Sequence, residues 1–271
     1  MTGSAMTSGV ITNGATTSGG AVSGVLLLAG RTLRRFLRTP QLLIAAVVFP
    51  VVLLFVMLAL FNRLVGQAGQ GSYVDRLTPL IVLSTISFAV SITAVGFHLD
   101  VRGGFFGRLR SMPLPLVALP GGRLVGDLVR ILLVAAAVSL LAYLPGFRFR
   151  QGLPETLGYF GVVALVGLLF TTVAICVGLH ASSPMGAQNA LNIPAMVVFF
   201  LSSGFLPVAN FPAFVRPVVE ANPLSLAADA MRGLASDGPV QGPLLWTLAW
   251  CAGGTAVAGF FALRKFRAVA R

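Results

Sequence analysis

The sequence predicts an all-α integral membrane protein with six transmembrane helices, an N-terminal interfacial amphipathic helix, and re-entrant helices between spans 5 and 6. Three observations predict it. Of 271 residues, 56% are hydrophobic and only 10% are charged, where a soluble domain carries roughly 25% charged residues; the mean hydropathy is +0.92. Uncharged runs that approach the roughly 20 residues needed to cross a bilayer recur along the chain. The bases lie at the ends of those runs, where membrane insertion needs them. The net charge of +12 therefore does not imply nucleic acid, because no basic face interleaved with stacking aromatics accompanies it.

Residues 1–24 are rich in Thr, Ser and Gly and carry no charge. Such a segment cannot bury enough apolar surface to order itself, so a disordered N-terminal tail is expected, and residues 25–271 form the transmembrane domain. The tail lacks the basic n-region of a signal peptide. From Val25 to Gln41, Leu26, Leu33, Phe36 and Leu37 can share one helical face, with Arg31, Arg34, Arg35 and Arg38 spread over the other side. A basic amphipathic helix of this kind lies in the membrane interface with its arginines at anionic headgroups. The alternative is a topology signal with no further role.

The apolar runs come next. Leu43–Phe61, Leu77–Phe97, Thr156–Leu179 and Pro239–Leu263 are each free of charge. Ile131–Phe147 is short, and reaches span length by extending towards Leu124 if Asp127 and Arg130 sit as a pair at the span boundary. Three residues apart, they lie one above the other on a helix and can neutralise each other. The uncharged run from Ala181 to Val215 is too long for one span and too short for two. It reads as a fifth span, about Asn189–Leu206, followed by short helices around Pro207, Pro212 and Pro217, where a continuous helix is interrupted. Asn222-Pro223 then restarts a helix carrying Asp229 and Arg232.

With the N-terminus inside, the inner segments hold Arg31, Arg34, Arg35 and Arg38, then Arg102, Arg108, Arg110 and Arg123, then Arg264, Lys265, Arg267 and Arg271; the outer segments hold half as many bases. Both termini are therefore expected in the cytoplasm of a multi-pass protein of the cytoplasmic membrane. The polar interruption from Phe97 to Arg123 becomes a cytoplasmic loop shaped to receive a soluble partner. Within it Phe105, Leu109 and Met112 form an apolar stripe at helical spacing, of the kind that fills a groove on a partner.

Energy-converting chemistry is missing from the sequence. There is no G-x-x-x-x-G-K-[ST] phosphate loop, and the single lysine is Lys265 near the C-terminus. Charged residues deep within spans, as ion-coupled carriers use, are also not expected. Cys176 and Cys251 fall in apolar runs and read as small core hydrophobes. His98, Asp100 and His180 share one end of the predicted bundle, so a metal or acid–base site is conceivable; a membrane enzyme built on these three residues is the more distant alternative.

Asp100, Gly104, the run Arg108-Leu109-Arg110-Ser111-Met112-Pro113, Gly122-Arg123-Leu124 and Asp127-Leu128-Val129-Arg130 resemble the permease subunits of ABC-2 type exporters, especially their daunorubicin-resistance-type branch. So do Ser203-Gly204-Phe205-Leu206-Pro207, Asn222-Pro223-Leu224-Ser225 and Ala230-Met231-Arg232. The resemblance runs in order from about Arg31 to the C-terminus. It implies a half-transporter that pairs with a second permease, identical or paralogous, each docking an ATPase subunit that carries ATP and Mg. This chain itself would hold no cofactor or metal and would not be an enzyme. The ATPase-coupling loop would comprise Asp100, Arg102, Phe105, Arg108, Leu109, Arg110, Met112 and Pro113. Asn189, Asn192, Ser202 and Ser203 are candidate translocation-path residues. With no charge in the predicted fifth span and only 2 Trp and 3 Tyr in the chain, the expected cargo is a hydrophobic drug or lipid. A lipid-linked glycan is the alternative.

Overall fold

The computed structural model describes residues 30, 34, 38–67, 72–103, 118–236, 238 and 240–270. Residues 1–24, Arg31, Arg35, and Phe105, Arg108, Leu109, Arg110, Met112 and Pro113 of the expected coupling loop lie outside the described residues.

Eight α-helices are present among the described residues: α1 (Pro40–Gln67), α2 (Tyr73–Arg102), α3 (Ala118–Leu141), α4 (Leu153–His180), α5 (Pro184–Phe200), α6 (Arg216–Ala221), α7 (Pro223–Ala235) and α8 (Gln241–Ala270). A short 3-10 turn at Val208–Asn210 lies between α5 and α6. Segments of α1, α2, α3, α4 and α8 are long and apolar enough to cross a membrane. The expected fifth span, about Asn189–Leu206, overlaps α5, which is not among these and whose 17 residues make it the shortest of the long helices.

The boundaries differ from the expected ones for identifiable reasons. Helix α5 begins at Pro184 rather than Asn189, because the Ser183 hydroxyl caps it by accepting from the Gly186 N–H at 3.0 Å, with proline in the first turn. It ends at Phe200, before the expected Leu206. Helix α3 starts at Ala118 and stops at Leu141, six residues short of Phe147. Gly146 has φ +110°, a conformation that glycine adopts without strain, and the turn folds Phe147 back so that its N–H reaches the Ala142 carbonyl at 3.0 Å. Helix α7 starts at Pro223 as expected, with the Asn222 side chain accepting from the Leu224 N–H at 2.8 Å.

Helix α2 occupies the centre. It packs against α1, α3, α4, α5 and α7, which is why its sequence is apolar on nearly every side. Leu77, Leu80, Ile81, Val82, Leu83 and Ile86 are all fully buried. Three of its hydroxyls turn back onto their own helix: Thr78 donates to the Val74 carbonyl at 2.8 Å, Ser84 to that of Ile81 and Thr85 to that of Val82, each at 2.7 Å. Helix α4 crosses α2 at Gly178, where an added Cβ would stand 2.7 Å from the Ala94 carbonyl oxygen. Helix α8 packs on α4 and α7 while presenting Leu245, Trp246, Trp250, Phe260 and Phe261 outward. Helix α1 likewise presents Ile44, Val48, Phe49, Val52, Phe55 and Leu60. Apolar surface on this scale needs a lipid or protein neighbour.

Candidate functional site

Two polar layers interrupt the apolar bundle, one towards each end of α2. The first lies between α2 and α3 and continues towards the Arg102 end. Ala89, Thr93 and Asp100 share a face of α2, at spacings of four and seven residues; Arg123, Asp127 and Arg130 share a face of α3 in the same way. Asp127 is the hub and is only 1% exposed. It accepts the Thr93 hydroxyl at 2.7 Å, and pairs with Arg130 at 3.2 Å and with Arg123 at 3.5 Å. Arg123 reaches on to Asp100 at 3.4 Å and donates to the Thr93 carbonyl at 3.4 Å. Arg130 donates to the Thr93 hydroxyl oxygen and to the Ala89 carbonyl, each at 3.2 Å. The Thr93 hydroxyl thus donates and accepts at once, closing the ring. Two guanidinium groups face two carboxylates, so the network is neutral.

This places the Asp127–Arg130 pair differently from the sequence expectation. The ion pair forms, but nine and twelve residues into α3 and inside the apolar stretch Pro120–Leu141, not at its boundary. Charge is therefore present well within a candidate span, which the sequence reading did not expect. Burial between two helices makes this tolerable, because each charge is paired and hydrogen-bonded by protein groups.

At the end of α2 beyond Asp100, Arg102 is exposed. Phe97 packs there with Ile175, Leu179, Ala262 and Phe266, bringing the exposed Arg264 and Lys265 of α8 to the same end as Arg102. Arg34 and Arg38 are exposed too, and the Arg38 N–H donates to the Arg34 carbonyl at 3.0 Å. The three residues of the enzyme alternative are engaged separately. The Nδ1 of His98 lies 3.2 Å from the Gly178 carbonyl, that of His180 lies 2.8 Å from the Cys176 carbonyl, and Asp100 serves Arg123. Among the described residues no group of three or more His, Cys, Asp or Glu side chains could hold a metal.

The second layer caps the Tyr73 end. Arg76 donates to the Ser203 carbonyl at 3.2 Å, the Ser203 hydroxyl donates to Asp229 at 2.9 Å, and Arg232 pairs with Asp229 at 3.2 Å. Arg150 pairs with Asp75 at 3.2 Å. Tyr73 donates to the Phe205 carbonyl at 3.2 Å. The Asn222 amide closes the frayed end of α5, donating to the Val198 and Leu201 carbonyls at 2.7 Å each.

The four candidate path residues part company here. Ser202 and Ser203 are buried in this cap, and Ser203 N–H donates to the Ser225 hydroxyl at 2.9 Å. Asn192 is half-buried and accepts the Ser91 hydroxyl of α2. Asn189 stands exposed on the outer face of α5. The sequence reading missed Thr93 and the bridging role of Arg123. The spacing of Arg123, Asp127 and Arg130 could have found the latter; nothing local marks Thr93, whose partners lie on another helix.

The profile of the ABC-2 type transporter family matches residues 23–235. The chain is similar to the "Probable doxorubicin resistance ABC transporter permease protein DrrC" of Mycobacterium tuberculosis, at 28% identity over 228 residues, covering 84% of this chain and 82% of that protein. It is also similar to the "Daunorubicin resistance ABC transporter permease protein DrrB1" of Streptomyces coeruleorubidus, at 26% identity over 204 residues, covering 75% and 72% respectively. The "Doxorubicin resistance ABC transporter permease protein DrrB" of M. tuberculosis is 29% identical over 182 residues, 65% of this chain and 62% of that one.

Proposed function

The chain belongs to the ABC-2 type transporter family, and on that premise we propose that it is the transmembrane permease subunit of an exporter. A separate ATPase subunit drives it to move a hydrophobic drug or lipid out across the cytoplasmic membrane. The observation that carries this reading is the neutral network from Asp100 through Arg123 and Asp127 to Arg130. It ties the two helices that flank residues 104–117 to each other, so a push delivered to that loop displaces α2 and α3 together.

In this reading the Arg102 end is cytoplasmic, because Arg102, Arg264 and Lys265 gather there and the sequence puts most other bases on the same side. Helix α5 serves as the fifth of six spans, and the 3-10 turn with α6 forms the re-entrant element before α8. Backbone that breaks from helix at such depth must find partners in protein, and the Asn222 amide supplies two of them. The loop residues Phe105, Leu109 and Met112 dock the ATPase, with Arg102, Arg108 and Arg110 guiding its approach. Arg34 and Arg38 belong to an interfacial helix with Arg31 and Arg35. Two permeases pair, with the apolar faces of α1 and α8 against lipid or each other. ATP and Mg stay on the partner.

Doxorubicin, named for the relatives, is the first cargo to try. Inside-out vesicles containing the chain and its ATPase should accumulate doxorubicin only when ATP is supplied, and vesicles with either subunit alone should not. Uptake that ignores ATP, or that persists without this chain, refutes the permease assignment; uptake of fluorescent phospholipid in place of doxorubicin assigns lipid as the cargo.

A further inference from the structure

The polar layer at the Tyr73 end is not balanced as the other is. Arg76, Arg150 and Arg232 stand there against two carboxylates: Asp75, taken by Arg150, and Asp229, taken by Arg232. The surplus charge is Arg76. Its guanidinium donates to the Ser203 carbonyl and forms no ion pair among the described residues. Asp229 does not serve it directly, because its two oxygens are held by Arg232 and by the Ser203 hydroxyl. Arg76 and Arg232 repel each other across that shared acid. No nitrogen of either arginine is both buried and unpartnered, so the donors that Arg76 does not spend on Ser203 open to the surface. Asp229 and Arg232 are each 28% exposed, which leaves the cluster accessible. Arg76 also sits in the first turn of α2, where Ser72 at the N-cap makes no side-chain hydrogen bond; the positive end of the helix dipole adds to the same potential.

We infer that Arg76 and Arg232 form a binding site for the phosphodiester of a net-anionic phospholipid. Charge sets the class. One surplus positive charge is neutralised by a monoanion; a dianion overshoots, and a zwitterionic headgroup brings a cation of its own. The planar guanidinium fork matches phosphate oxygens in pairs. Depth sets the source. The 30 residues of α2 make a rod about 45 Å long against a hydrocarbon core of about 30 Å, so its ends stand at headgroup level, where phosphodiesters are concentrated. The segment between Ser203 and α7 presents Phe214 and Val218, 83% and 55% exposed, and Arg216 braces it by donating to the Ala209 and Phe211 carbonyls at 3.0 Å each. Acyl chains cover apolar side chains held outward in this way. The inference rests on the membrane placement of α2 in the permease reading, and goes beyond it because the site takes its lipid whether or not that lipid is the cargo.

The test uses the full-length chain in dodecylmaltoside micelles, with a phosphatidylglycerol that carries a photoactivated diazirine in its headgroup and adducts located by mass spectrometry. Saturable adducts are expected within residues 201–216 and 228–232. Unlabelled phosphatidylglycerol should displace the probe at about one tenth of the concentration that phosphatidylcholine requires; one hydrogen bond from a charged donor accounts for such a factor. Arg76→Gln keeps a donor for the Ser203 carbonyl and removes the surplus charge, so it should lose this preference. Arg264→Gln makes the same change of charge at the opposite end and should keep it. Adducts elsewhere, or adducts that do not saturate, would overturn the site, and so would equal displacement by the two lipids in the wild-type chain, a result that needs no variant to fold. Displacement by inorganic phosphate as effective as by phosphatidylglycerol would overturn the lipid source, and equal displacement by oleate would overturn the phosphate class. None of these readouts involves ATP or export, so their failure is distinct from failure of the permease assignment.

Discussion

Replacing Asp127 by alanine probes the network most directly. The carboxylate is 1% exposed and stands 3.2 Å from Arg130 and 3.5 Å from Arg123. At an effective dielectric of about 20, a charge pair at 3.2 Å interacts by roughly 5 kcal/mol. Arg123 keeps Asp100 as a second partner, but the Arg130 side chain, 10% exposed, loses its counterion inside a span. Removing one member of a buried pair costs about 3–5 kcal/mol, and the Thr93 hydroxyl loses its acceptor for about 1 kcal/mol more. At about 2–4 °C per kcal/mol for a chain of this size, Asp127→Ala should lower the apparent unfolding midpoint by on the order of 10 °C. The readout is the fraction of purified protein that stays monodisperse after heating in detergent. Asp127→Ala combined with Arg130→Met removes both charges and should recover most of the loss, since replacing a buried pair by apolar groups is often close to neutral. A single variant within about 1 kcal/mol of wild type, or a double variant that simply adds the two single costs, would refute the claim that these charges hold each other.

Two further outcomes are expected. Gly178→Val should sharply reduce membrane abundance, because its Cβ meets the Ala94 carbonyl oxygen at 2.7 Å and the Phe97 Cβ at 3.3 Å, and overpacking a rigid crossing costs about 1–3 kcal/mol; Gly161→Val, with nothing within 4 Å, should match wild type in the same immunoblot. On the proposed docking of residues 105–112 into an apolar groove of the ATPase, Leu109→Asp should strip that partner during co-purification at equal membrane abundance, because a carboxylate buried in such a groove costs several kcal/mol, while Arg108→Ala should do far less, an exposed ion pair contributing about 0–1 kcal/mol; full retention of the ATPase by Leu109→Asp would move the docking contact elsewhere.

The helices were legible because each long one must be apolar along its length whatever it packs against, and Leu43–Phe61 or Thr156–Leu179 cannot be read otherwise. Their ends were less legible because a hydropathy run ends where charge begins, whereas a helix ends where its backbone loses partners. Helix α2 therefore begins at Tyr73, one turn before the apolar run, and carries Asp75 and Arg76 inside it. Ser183-Pro184 held the true start of α5, in a residue pair that a count of apolar positions passes over. The site was legible in part. Asp127 and Arg130 stood out as charges in an apolar setting, but their depth depends on α3 starting at Ala118, and only the packing of α2 on α3 adds Thr93. Arg148 and Arg150 count among the bases of the outer segments. In the structure Arg150 is neutralised by Asp75, while Arg148 donates to the Tyr143 and Phe147 carbonyls and stacks 4.8 Å over the Tyr143 ring. A base count weighs these like free cations, although they are spent on the fold.

The two polar layers bear on α2 together. Its 30 residues make a rod about 45 Å long at 1.5 Å per residue. Near one end Thr93 and Asp100 are bound to Arg123, Asp127 and Arg130; at the other, Tyr73 and Arg76 are bound to the segment that follows α5 and Asp75 to Arg150. Between them the contacts are mainly apolar and close-packed, with the Ser91 hydroxyl donating to Asn192 of α5 as a directional bond; apolar packing resists separation but holds weakly when one helix slides past another. A displacement applied at the Arg102 end therefore has two outcomes. Either the rod moves whole and drags the Ser203–Asp229–Arg232 cap with it, or one polar layer must release first. Each layer contains several charge-assisted bonds, so the concerted movement is the cheaper one. On that account the cap at the far end, held directly by Arg76, is where motion of the loop emerges.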